Sequence, residues 1–134
     1  MNATKLQTYA PAVLRIGIGL TILWFGVQMF IDTQTWMSYI PQYATDLTGL
    51  SLEQLTYING VIEVTLSLCL ILGVFVRTAA ILMAVHIAFI ALELGYNQIA
   101  IRDWGLALAA LSIFFYGADS WSLQKGFTKK SEVV

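Results

Sequence analysis

Charge is what this 134-residue chain has least of: Asp, Glu, Lys and Arg make up 11% of it, with Lys and Arg numbering 7 against 8 for Asp and Glu. A balance so close to neutral leaves no basic stripe for a polyanion, and no basic run is interleaved with aromatics, so nucleic acid is excluded as a partner. A single cysteine, Cys69, rules out an intramolecular disulfide and any CxxC redox pair. A single histidine, His86, cannot supply both axial ligands of a haem within one chain. There is no HExxH or comparable ligand motif, so no metal site is expected. A glycine-rich phosphate loop and a GxSxG nucleophile elbow are missing as well.

Apolar residues dominate instead, at 58% of the chain with a mean hydropathy of +0.75, beyond the make-up of a soluble domain. Continuous apolar runs occupy 13–31, 58–76, 78–95 and 104–118, the last extending towards 121. Each approaches the roughly 20 residues of helix that cross a hydrocarbon core of about 30 Å. Continuous runs exclude a β-barrel, whose strands alternate in and out. The expected fold is therefore all-α, a four-helix antiparallel transmembrane bundle forming one integral membrane domain over 1–134. Its helices are placed at about 12–31, 52–76, 78–95 and 103–121. The first run lacks the short core and cleavage site of a signal peptide and reads as a retained helix.

Basic residues set the expected orientation. With four spans both termini share a side, and that side collects Lys5, Arg15, Arg77, Lys125, Lys129 and Lys130, while the other has only Arg102. The positive-inside rule places both termini in the cytoplasm and the protein in a cell membrane, inner or plasma.

Between the first two helices, "TQTWMSYIP" groups Trp36, Met37, Tyr39 and Ile40 before Pro41, the pattern of a short interfacial helix or re-entrant cover. "SLEQ" is a capping box, with Ser51 as N-cap and Gln54 three positions on, so the second helix starts near Leu52. "VRTAA" suggests a very short turn at Arg77 joining helices two and three into a hairpin. Gly19 and Gly26 on the first helix, and Gly105, Ala109 and Ser112 on the fourth, form small-residue faces suited to close packing or self-association.

Ionisable groups inside hydrocarbon cost about 2.5 to 3.5 kcal/mol each and need a partner or a purpose. Gln28 lies at the outer end of the first helix, Asn59 and Glu63 in the outer third of the second, and His86 near the middle of the third. Glu93 follows at that helix's outer end, and Arg102 with Asp103 at the entry of the fourth. Asn59 and Glu63 are four apart and His86 and Glu93 seven apart, so each pair shares a helix face. An outer-half pocket follows, with Arg102 neutralising Glu63 or Glu93 and His86 as its floor. Gln28, Asn59, Glu63, His86, Glu93 and Arg102 are the ligand-binding candidates, and Glu63 and His86 the candidates for proton chemistry. Each has a plainer reading: a structural ion pair for Glu63 with Arg102, a cross-helix hydrogen bond for His86, solvation at a loop end for Glu93 and Asp32. Asp103 reads as a helix cap and Arg15 as an inward-snorkelling anchor.

"LRIGIGLTILWFGVQMF", "NGVIEVTLSLCLILGVFVRTAA", "RDWGLALAAL" and "YGADSWSLQ" together resemble the DoxX family of small four-helix membrane proteins, over most of the chain. The resemblance implies a four-helix bundle linked to respiratory redox chemistry, since relatives include a membrane subunit of thiosulfate:quinone oxidoreductase and members implicated in redox homeostasis. It matches Glu63 to the family's acid in the second helix, Arg77 to the position after that helix, and Arg102 with Asp103 to the entry of the fourth. A subunit or binder with a quinone or similar polar-headed ligand, an oxidoreductase partner and the lipid bilayer around it is the expectation. A proton or solute transporter or channel, and a structural or assembly protein, are the competing classes.

Overall fold

The protein is described by a computed structural model over residues 3–125. Lys129 and Lys130, counted above among the charges of the terminal side, lie outside the described residues. Six helices follow in order: α1 (Ala3–Ile31), α2 (Thr33–Met37), α3 (Gln42–Thr48), α4 (Leu52–Leu72), α5 (Val76–Leu94) and α6 (Gln98–Tyr116). Four of them, α1 over Gln7–Ile31, α4, α5 and α6, are long and apolar enough to cross a membrane. The short α2 and α3 sit together at one end of the bundle, called here the distal end.

Local chemistry explains most of the boundaries. At the start of α4, the Ser51 hydroxyl accepts from the Gln54 amide at 3.2 Å and the Gln54 side chain accepts from the Ser51 amide at 2.9 Å, the reciprocal capping box that "SLEQ" announces. α4 then stops at Leu72, short of residue 76, because Gly73 turns left-handed at φ +71° and its amide closes on the carbonyls of Cys69 and Leu70. The hairpin turn is therefore 73–75, completed by Phe75 at φ +48°, and not at Arg77. Arg77 lies instead in the first turn of α5, where its guanidinium packs so closely over Gly117 that a Cβ there would stand 2.7 Å from Nε.

α6 begins at Gln98 rather than 103. Asn97 caps it, its side-chain oxygen accepting from the amides of Ile99 and Ala100, both at 2.9 Å. Asp103 is thus no cap: it lies in the second turn, and Ala100, Asp103, Ala107 and Ala110 follow one buried helix face. The same helix ends at Tyr116, not 121, and the chain after Gly117 folds back across the bundle end. α1 starts earlier than expected, at Ala3, with Pro11 inside it.

α1 packs most extensively on α4, and α5 on α6. The α1–α4 contact is made of glycine. A Cβ on Gly19 would fall 2.7 Å from Ile71, one on Gly26 3.0 Å from the Cβ of Glu63, and one on Gly60 2.8 Å from the Phe30 ring. So close an approach of two helix backbones is open only to the smallest residue. The expected counterpart on α6 plays no such part within the chain, since a Cβ on Gly105 would meet nothing within 4 Å. α5 and α6 interleave small and medium residues, among them Ala80, Met83, Ala84, Ala107 and Ala110, in the main core cluster.

Candidate functional site

At the distal end the four long helices and the α2–α3 cover enclose a cavity of about 610 Å³. Its wall is mostly apolar, and four of the expected ligand-binding residues that carry charge, Glu63, His86, Glu93 and Arg102, line it together with Asn59. Gln28, half-buried on α1, is the one candidate outside that wall.

Glu63 is the most buried acid of the cavity wall. The Gly26–Gly60 crossing brings α1 against its Cβ, and its side chain is only 6% exposed. Facing it from α5, His86 places Nε2 3.7 Å from Oε1, near enough for an ion pair but beyond a hydrogen bond. Among the described residues, Glu63 Oε2 and His86 Nε2 have no hydrogen-bond partner despite their burial. Ser67, one turn along the same α4 face, is fully buried with Oγ likewise unpartnered. Buried polar atoms in that condition are rare, because each forfeits its hydration. Glu63 and His86 make a polar floor under an apolar chamber, the usual construction of a small-molecule site, with Ser67 buried beyond the cavity wall.

The group that faces Glu63 is therefore His86, not Arg102. Arg102 pairs with its own neighbour Asp103, Nη2 to Oδ1 at 2.8 Å, and donates from Nε to the same oxygen at 2.8 Å. The reason is the earlier start of α6: it turns Asp103 inward, 7% exposed, where a carboxylate needs an adjacent cation, and the preceding residue supplies one. The guanidinium also lies 4.4 Å from the centre of the Phe25 ring, a cation–π contact that ties α6 to α1. Asn59 donates to the Met29 sulfur at 3.6 Å, again bridging α4 and α1. Glu93 stands exposed at the rim, where the Tyr43 phenol of α3 also lines the cavity. Hydrogen bonding towards the Glu93 carboxylate, slight desolvation and that carboxylate's charge hold the Tyr43 phenol above its ordinary range.

Phe25, Tyr43 and Ser67 were not singled out from sequence. Ser67 carried a signal, lying four residues after Glu63 on its face, whereas an aromatic inside an apolar helix and a tyrosine in a connecting segment carry none. Among the described residues no group of three or more His, Cys, Asp or Glu side chains gathers as metal ligands would.

A second polar group occupies the other end of the bundle. Arg15, expected to reach for solvent, is fully buried. Its Nε donates to Asp119 Oδ2 at 2.6 Å and Nη2 to Oδ1 at 3.2 Å, while Nη1 donates to the Leu70 and Ile71 carbonyls in the last turn of α4. Asp119 in turn accepts from the Trp121 amide at 2.8 Å. Burial alone would push the Asp119 carboxyl up, but the Arg15 guanidinium and the Trp121 amide outweigh it and hold the group below the usual carboxylate range. The charges of this pair satisfy one another.

Comparison with known proteins follows the same outline. The DoxX family model matches residues 10–94, from within α1 to the end of α5, which takes in Glu63 and His86. A protein of Haemophilus influenzae, itself uncharacterized, is 30% identical over 139 aligned positions that take in 96% of this chain and 98% of the relative. No solved structure matches the chain at a significant level.

Proposed function

The chain belongs to the DoxX family and is a multi-pass membrane protein of four apolar helices, and on that premise we propose that it is a non-autonomous subunit or binder in respiratory or redox metabolism. Its distal cavity receives a quinone-like or other small polar-headed ligand. One observation carries this reading: Glu63 and His86, buried and with unpartnered atoms, at the floor of an otherwise apolar cavity of about 610 Å³. The pair can hold one proton between them in either of two arrangements, so it suits a ligand whose head gains or releases protons. Electron transfer then belongs to an oxidoreductase partner, which would take or supply the electrons.

The same reading places both termini in the cytoplasm of a bacterial-type cell membrane, from the distribution of Lys and Arg, so that the cavity lies in the outer leaflet. It treats the chain as one membrane domain, with α2 and α3 as an interfacial cover. The unfilled small-residue face at Gly105 favours self-association or docking on the partner.

The test is purification in mild detergent followed by native mass spectrometry. A bound lipophilic species with a polar head is expected in the wild type. It should be lost in Glu63→Gln while the helical circular dichroism is unchanged. Repeated recovery of bare wild-type protein would remove the basis for the proposal.

A further inference from the structure

The walls of the cavity are not equally sealed. On the α1–α6 side, Arg102 lies on the Phe25 ring and bridges the two helices. On the α1–α4 side, Gly26 and Gly60 bring the helices into backbone contact. Between α4 and α5 the only polar link among the described residues is the Glu63–His86 pair itself. These helices are joined through the tight 73–75 turn, yet α4 packs far more on α1 and α5 far more on α6. Distal to the pair, the α4 residues Ile58 and Ile62 and the α5 residue Phe89 line the cavity and are exposed, by 46%, 38% and 57%. Exposed cavity-lining residues on both facing helices mark an opening between them. This one is edged with isoleucine and phenylalanine at the depth of two spans, and its surroundings are acyl chains. α3 overhangs it with Tyr43 and Leu47.

At the inner end of that opening stand the two unpartnered atoms. Glu63 presents a carboxylate oxygen, an acceptor, and His86 a ring nitrogen, 3.7 Å from the other oxygen of the same carboxyl. The spacing is too long for a direct hydrogen bond and leaves room for a ligand group that can donate and accept at once. A hydroxyl does both, donating to a carboxyl oxygen and accepting from a ring N–H. A carbonyl can only accept, and an ether can only accept.

We propose that the cavity is loaded from the bilayer through the window between α4 and α5, and that its occupant is a neutral membrane-dissolved amphipath whose hydroxyl or phenol head bridges Glu63 and His86. This rests on the ligand-binding reading above and narrows it, assigning the hydroxyl-bearing form of the ligand to the resting site and the lipid phase as its source. A donor lost against a buried acceptor leaves that acceptor unsatisfied, which is worth about tenfold or more in affinity.

The experiment uses the full chain in lipid nanodiscs with two fluorescent probes, 6-decyl-2-naphthol and its methyl ether, and follows energy transfer from tryptophan. The naphthol should bind saturably and the ether about tenfold or more weaker, a comparison made on the wild-type protein and so independent of whether any variant folds. Filling the window with Ile58→Phe and Ile62→Phe should slow naphthol association in stopped flow while saturable binding persists. Equal binding of naphthol and ether would overturn the hydroxyl bridge and leave the wider ligand-binding reading standing. An association rate unchanged by the filled window would overturn the membrane route. Absence of binding by both probes would overturn the inference outright, and that reading itself falls only if the wild type is also bare by native mass spectrometry.

Discussion

Arg15 of α1 and Asp119 beyond α6, 104 positions apart in sequence, form a fully buried ion pair at 2.6 Å that locks the chain after α6 against the last turn of α4. Gly73 makes this possible. A Cβ at that glycine would stand 2.6 Å from the Cα of Ser122 and 3.1 Å from Arg15 Nη1, so the closing segment can seat only against a bare α-carbon. The Gln124 amide, donating to the Gly73 carbonyl at 3.1 Å, fastens the same segment further along.

Removing one member of that pair should be severe. Asp119→Asn or Arg15→Leu leaves a buried group without its counter-charge, at a cost of about 3–5 kcal/mol. Thermal unfolding in detergent should show a large drop for either single variant and partial recovery for Arg15→Met combined with Asp119→Leu. Equal stability of wild type and Asp119→Asn would contradict the pairing.

The same pair should respond to acid. The Asp119 carboxyl is held below its ordinary range, so its folded value lies beneath its unfolded one. Its contribution is therefore complete above the unfolded value of about 3.9 and fades as pH falls through the folded value. The stability gap between wild type and Asp119→Asn should stay constant near neutrality and narrow only in strong acid. A gap that closes as pH rises would have the wrong sign.

Glycines at the two small-residue faces should behave oppositely. Gly26→Ala sets a methyl 3.0 Å from Glu63 Cβ and 3.1 Å from the Val64 amide nitrogen, contacts with rigid helix, and should destabilise by about 1–3 kcal/mol. Gly105→Ala meets nothing within 4 Å and should raise helix stability by about 0.5–1 kcal/mol in a monomeric preparation. If Gly105→Ala instead weakens the protein together with its oligomeric state, that face is covered in the assembly.

At the rim, Tyr43 offers a spectroscopic check. Its phenol is held up chiefly by the hydrogen bond to Glu93, so Glu93→Gln should bring its titration down towards the ordinary tyrosine range. Ultraviolet difference titration, with Tyr43→Phe to identify the signal, measures this directly. An unchanged Tyr43 midpoint in Glu93→Gln would separate α3 from the cavity rim.

Much of the architecture was legible in the residues because it follows from solvation and local chemistry. Four apolar runs long enough to span hydrocarbon leave the backbone no option but helix, and the Ser51–Gln54 box determines where α4 starts whatever surrounds it. Helix ends elsewhere depended on competing local signals: Gly73 rather than Arg77 set the turn, and Asn97 rather than Asp103 capped α6. That second difference rotated Asp103 inward and drew Arg102 to it.

Sequence alone determined that Glu63 and His86 had to be accommodated inside the membrane, since burial of each without purpose is unfavourable wherever the helices go. Only the tertiary structure decided with whom. Depth along a helix can be counted from its ends, but the angle at which two helices face each other is set by how closely they pack, and here glycines decide it. Gly26 and Gly60 pull α4 onto α1, leaving the Glu63–His86 contact as the polar link between α4 and α5 among the described residues. Arg15, a surface anchor by its position, became the most deeply buried charge because a segment distant in sequence brought Asp119 to it, and no periodicity or spacing encodes that meeting.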